Sequence, residues 1–249
     1  MPSSPHLLTT LHSEDWHTPK GRFIREVMFG MNDGLVSTIG FVAGATGALM
    51  QARLVLLAGI ASVVAGALAM GIGAYLASKS QRDFFESEKE RERREIEEVP
   101  ELERKEIRDI FTKLGFQKDE VEMIVNRVTS DKSLWVRFMM REELGILEES
   151  FDNPVTVGFL MAGAYVVAGI APLLPYLVLE DVLMALKVAV AVSLVALFII
   201  GVGKTVLTKQ PWIKSGLEVM LLGSLAAGVG FGIGKLVALL WPEVGAVGI

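Results

Sequence analysis

Glu92-x-x-Glu95 and Glu103-x-x-Glu106 each set two carboxylates one helical turn apart on a single face. Most Glu/Arg-rich helices present a solvated surface laced with i,i+4 ion pairs, and Glu90 with Arg94 and Glu101 with Lys105 have that spacing. The two glutamate pairs do not, because Ile96, Val99, Ile107 and Ile110 stand four residues on. These carboxylates share the stripe that a three- or four-residue period marks as inward-facing. Met139, Met140 and Glu143 repeat the pattern on the stripe of Val136 and Leu147. Inward carboxylates without cations are costly, and like charges on neighbouring turns raise each other's pKa. A divalent cation relieves both. Oxygen ligands with one or two thioethers suit Fe²⁺ or Mn²⁺, whereas an all-oxygen cage suits Mg²⁺ or Ca²⁺. The alternative for the same residues is a charged helical bundle with Met as core filler. Upstream, Asp33 lies inside a long apolar run, where an acid is a functional candidate by default. Glu26 stands near the entrance of that run. Met70 lies in the next one beside Gly71 and Gly73, where its sulfur faces a cavity or serves as apolar filler.

The elements that must hold these residues follow from how the chain segregates its charge. Of 249 residues, 51% are hydrophobic and 21% charged, and residues 79–152 hold 15 of the 24 Lys+Arg and 21 of the 29 Asp+Glu. This excludes a single soluble globule and a disordered chain, and it speaks against a nucleic-acid binder. With no Cys, a disulfide framework, a thiol nucleophile and Cys-held zinc or iron–sulfur sites are excluded. Five runs (27–50, 54–78, 155–179, 182–202 and 217–241) can cross a hydrocarbon core of about 30 Å, which takes about 20 helical residues. Pro172 and Pro175 are expected to kink or end the third.

The predicted fold is an all-α membrane protein. Five transmembrane helices carry an acidic helical cytoplasmic domain inserted between the second and the third. Its parts are a polar tail (1–23), spans one and two (24–80), the helical domain (81–152) and spans three to five (153–249). In the inserted domain, helices are expected over 81–99 (continuing the second span), 101–114 closed by Gly115, 119–128 and 133–147. The Gly30/Gly34 and Gly40/Gly44 pairs and the 228–234 glycine run predict close helix packing, within a bundle or a dimer. Lys20, Arg22 and Arg25, the inserted cations, and Lys204, Lys209 and Lys214 all fall on one side of a five-span chain. The positive-inside rule then puts the N-terminus and the inserted domain in the cytoplasm and the C-terminus outside. Lys187 and Lys235 lie close enough to the outer ends to snorkel.

Three strings carry a resemblance: Glu26-Val27-Met28-Phe29-Gly30-Met31-Asn32-Asp33-Gly34-Leu35; Gly66-Ala67-Leu68-Ala69-Met70-Gly71 with Ser80-Gln81-Arg82-Asp83; and Met139-Met140-Arg141-Glu142-Glu143-Leu144-Gly145. With the order of spans and insertion, the sequence closely resembles the vacuolar iron transporter (VIT) family from about Lys20 onward. The resemblance implies a homodimeric, proton-coupled antiporter that moves Fe²⁺, and often Mn²⁺, out of the cytosol. The ion is both substrate and bound ligand, and no prosthetic group or enzymatic activity is implied. Carried over by motif, Asp33 and Met70 would form the membrane ion site, with Glu26 at its mouth. Glu92, Glu95, Glu103, Glu106, Met140 and Glu143 would form the cytoplasmic cluster, with Met139 beside it. Arg22 is a departure, since some members have a second acid one turn before Glu26. An N-terminus without a signal sequence favours a prokaryotic plasma membrane over a vacuole.

Two other functions are compatible with a membrane-tethered acidic cluster. A ferroxidase or metal store is disfavoured, because di-iron sites of that kind use Glu-x-x-His and the three His here are His6, His12 and His17. A metal sensor without transport would leave Asp33 purely structural.

Overall fold

The structure, a computed structural model, describes residues 19–48, 51–145, 152–208 and 210–241. Most of the polar tail with its three His, and Leu147, lie outside the described residues. The described chain is helical: α1 (Pro19–Ala48), α2 (Ala52–Glu98), α3 (Pro100–Lys113), α4 (Lys118–Thr129), α5 (Lys132–Glu142), α6 (Pro154–Ile170), α7 (Leu174–Val178), α8 (Val182–Thr208) and α9 (Trp212–Leu240). A 3₁₀ turn at Ala171–Leu173 joins α6 to α7. Five stretches are long and apolar enough to cross a membrane: α1, α2, the α6–α7 run, α8 and α9. Pro172 and Pro175 tighten the third span into that 3₁₀ turn without ending it, because helix resumes through Val178. The chain forms two compact units, Met1–Tyr75 with Val155–Ile249, and Leu76–Pro154.

In the apolar unit, glycine sets the spacing where α1 meets α9. A methyl group on Gly44 would stand 3.1 Å from the Gly230 carbonyl oxygen, and one on Gly47 would stand 2.8 Å from that of Phe231. In the other direction, a methyl on Gly230 would collide with the Gly40 carbonyl, and one on Gly234 with that of Gly44. The two backbones therefore touch directly, as helices in lipid do when small residues face each other. Polar side chains inside this unit satisfy each other or the backbone. Thr46 and Tyr176 share a 2.7 Å hydrogen bond, and the Ser215 hydroxyl donates to the Gly201 carbonyl at 2.8 Å. The outward faces are apolar, with Leu57, Val64, Phe159 and Leu239 all more than half exposed.

The charged unit is built from the end of α2, then α3, α4 and α5. No charged residue interrupts 54–78, and Lys79 begins the charged stretch of the same unbroken helix. Pro100 starts α3 at a position where its missing N–H costs nothing, and Glu101 and Glu103 favour the positive helix end. Gly115 at φ 92° closes α3. A reciprocal Gln117–Glu120 box opens α4. The Asp131 carboxylate caps α5 by accepting from the Ser133 hydroxyl at 2.6 Å and from the Leu134 and Ser133 amides at 2.9 and 2.8 Å, and these bonds, the hydroxyl's first, hold it below the usual carboxylate range. The core comprises Phe85, Ile96, Ile107, Val121, Val125, Val128, Trp135, Val136, Met139 and Met140.

Two sequence expectations need correction here. The helix expected to reach Leu147 ends at Glu142: the Glu143 and Leu144 amides both donate to the Met139 carbonyl, at 3.0 and 3.3 Å, and Gly145 turns left-handed at φ 66°. Glu90 and Glu101 pair at i,i+3 rather than with the expected cations at i,i+4, Glu90 with Arg93 at 3.4 Å and Glu101 with Arg104 at 3.8 Å.

Candidate metal centre and membrane acid

Three helices converge on one group of carboxylates. Glu92 from α2, Glu103 from the first turn of α3 and Glu143 at the end of α5 each bring an oxygen within 4.8 Å of the other two. Glu92 and Glu103 are 1% and 3% exposed, and the Oε2 atom of each has no hydrogen-bond partner. A buried acceptor without a donor costs about 1–3 kcal/mol, and more when it is charged. The folding pattern explains the placement: Glu92 and Glu103 each lie four residues before a core isoleucine, Ile96 and Ile107, on the inward stripe of their helix. Glu143 is exposed, and its position is set by the turn that ends α5.

Both buried acids are pushed up to about 7. For Glu92 the cause is first burial, then the charges of Glu143 and Glu95, with Arg91 opposing. For Glu103 it is burial, then Glu106, Glu92, Glu143 and Glu95. Glu143 is raised by burial and by Glu106 and Glu95, against Arg91. Glu92 sits in the charged part of α2, well beyond the apolar stretch that ends near Ser78. Three oxygens held close, on carboxylates that resist ionisation and two of which have an oxygen without a donor, match what a divalent cation needs and relieves.

Glu95 and Glu106 contribute charge to this centre but are not among the three that converge. Glu95 is 40% exposed and faces Arg91, whose Nε lies 3.5 Å from its Oε2. Glu106 is half-buried one turn beyond Glu103. Met139 and Met140 are 0% and 3% exposed in the core of the same unit. Arg91 is the residue that sequence reasoning missed. Its guanidinium lies 2.9 Å from Glu88, 3.7 Å from Glu92 and 3.5 Å from Glu95, so it is the local counter-charge that the metal would have to share or displace. Looking four residues back from Glu95, and not only four forward, reveals it.

In the apolar unit, Asp33 is half-buried on α1 and accepts a hydrogen bond from the Ser37 hydroxyl at 3.3 Å, one turn on. The next residue, Gly34, packs against the Tyr165 backbone. Met70 packs on the core cluster that contains Val63, Ala67 and Tyr165. Glu26, 15% exposed at its side chain, is paired with Arg25 at 2.7 Å; the side chain of Arg22 lies outside the described residues.

Five apolar helices, one of them holding a half-buried acid, and a separate unit with a carboxylate centre define a multi-pass helical membrane protein. The chain belongs to the VIT family, whose model matches residues 24–235. It is 36% identical over 226 residues to vacuolar iron transporter 1 of Arabidopsis thaliana, covering 91% of this chain and 90% of that protein. Vacuolar iron transporter 2 of Oryza sativa subsp. japonica is 38% identical over 231 residues, covering 93% of this chain and 94% of that one. A vacuolar iron transporter of Toxoplasma gondii is 33% identical over 243 residues, covering 94% and 80%.

Proposed function

We propose that the protein is a secondary transporter that moves Fe²⁺, and Mn²⁺ as a second substrate, out of the cytosol in exchange for protons. The observation that carries this reading is the convergence of Glu92, Glu103 and Glu143, two of them buried with unpartnered oxygens, in a chain related to iron transporters along nearly its whole length. The charged unit lies in the cytoplasm and captures metal on these three acids, assisted by Glu95 and Glu106 and, as soft ligands, Met140 and Met139. Asp33 and Met70 form the membrane ion site and Glu26 its mouth. Asp33 exchanges metal for proton, because a carboxylate must lose its proton to bind a cation. The membrane is the vacuole's, by analogy with the relatives' names, and the working form is a homodimer.

Sealed vesicles with an internal pH probe and an external metal supply test the proposal. Wild type should take up Fe²⁺ and alkalinise the lumen in step with it, because each exchange carries protons out. Asp33→Asn keeps the size and hydrogen bonding of the side chain while removing the titratable charge, and should abolish flux. If that variant moves metal against a proton gradient at the wild-type rate, the exchange path runs elsewhere. If neither form moves metal while both bind it, the protein is a sensor or store.

A further inference from the structure

Two hollows lie in line along α2 and the α6–α7 span. The first, about 800 Å³, opens where α2 begins and α7 ends, and Arg53 and Glu180 are on its wall with Gln51 and Tyr176. The second, about 310 Å³, shares Leu56 and Leu177 with the first and continues along α2 past Ile60 and Val64, lined by apolar side chains alone. Arg53 and Glu180 are both exposed, and among the described residues neither makes an ion pair. Opposite charges that face one hollow without meeting each other suit a ligand carrying both signs. A wholly apolar furrow leading away from them suits a hydrocarbon tail. The dimensions agree with a single leaflet: from Arg53 to Val64 is eleven residues, about 16 Å of helix, and half of a hydrocarbon core is about 15 Å.

We propose that this furrow seats one zwitterionic phospholipid with a primary ammonium headgroup. Its phosphate accepts from the Arg53 guanidinium, its ammonium donates to the Glu180 carboxylate, and one acyl chain lies along Leu56, Ile60 and Val64. Charge-assisted bonds at both ends of the headgroup provide selectivity, and the apolar furrow provides area. A second copy of the chain with its two-fold axis through the furrow fits less well, since it would set one concave furrow against another. The site does not depend on the transport reading.

Native mass spectrometry of the purified full chain in detergent, titrated separately with dioleoyl phosphatidylethanolamine, phosphatidylcholine and phosphatidylglycerol, tests it. Wild type should retain one phosphatidylethanolamine per chain in preference to the other two. Arg53→Gln should lower that retention about tenfold, the effect of losing one charge-assisted bond. Glu180→Gln should erase the preference for phosphatidylethanolamine over phosphatidylglycerol. Ile60→Trp, which fills the furrow, should remove the bound lipid, whereas Ile60→Leu should keep it. Equal retention of all three lipids by wild type, or no change in Arg53→Gln and Ile60→Trp, overturns the proposal. So does a change of oligomeric state in Ile60→Trp at constant lipid count, which would put a second chain in the furrow.

Discussion

Glu92 and Glu103 keep their protons to about pH 7 because the fold buries them beside other acids. Unfolded glutamates titrate near 4.3. A carboxyl whose folded pKa lies above its unfolded value contributes stability that is fully present below the unfolded value and is lost as pH rises through the folded one. The metal-free protein should therefore weaken between about pH 4.5 and 7.5, by an amount on the order of a few kcal/mol for the pair. Thermal unfolding in detergent with a chelator, at several pH values, measures this; Glu92→Gln with Glu103→Gln should flatten the profile and raise stability at pH 7.5. Added Fe²⁺ or Mn²⁺ should restore wild-type stability at neutral pH and release protons on binding. The double variant should lose that response. In flux it should raise the metal concentration for half-maximal rate while largely sparing the maximal rate. Met70→Leu, nearly volume-conserving, should instead slow Fe²⁺ flux without unfolding the protein. Identical kinetic defects in both variants would count against a division between capture and translocation. The two Glu-x-x-Glu pairs were legible in the sequence, because an inward stripe shows in spacing alone. Which member of each pair faces the centre was not: that depends on where α3 starts relative to α2, which the Val99–Pro100 break decides. The contribution of Arg91 was hidden for a simpler reason, since its partners precede and follow it on the helix.

At the scale of elements, glycine at the α1–α9 contact can be told apart from glycine that merely sits nearby. Gly234 would drive a methyl group into the Gly44 carbonyl, while Gly228 and Gly232, on the same helix, meet nothing within 4 Å. Gly234→Ala should cost about 1–3 kcal/mol, because backbone cannot yield as a side chain does. Gly232→Ala should be neutral or stabilising by up to about 1 kcal/mol through helix propensity. Thermal unfolding of the two single variants separates them. The sequence showed a glycine-rich run and predicted close packing, but not which glycines face inward, since small residues at many spacings satisfy the same pattern. In the charged unit, Asp131→Ala removes the cap of α5 and should cost about 1 kcal/mol. The premature end of α5 was written in Gly145, yet the periodic residues continue to Leu147 and masked it.

For the whole molecule, the separation of an apolar unit from a charged one was the most legible property, because hydropathy and charge segregate along the chain itself. The direct touching of α1 and α9 has a consequence for motion. Helices held apart by side chains can slide as rotamers change, whereas helices locked carbonyl-to-glycine have no such slack, so α1 and α9 must travel as one body. α1 is held to α6 in the same way, since a methyl group on Gly30 or Gly34 would run into the Met161 or Tyr165 carbonyl, so Asp33 is carried on a body of α1, α6 and α9. Under the proposed exchange mechanism, whatever alternates access to Asp33 moves around that body rather than within it. The chain has no native Cys to interfere with a test. Disulfides engineered across α1 and α9 and across α1 and α6 should each leave metal flux intact, and loss of flux on closing either one would show that the three helices do not move together.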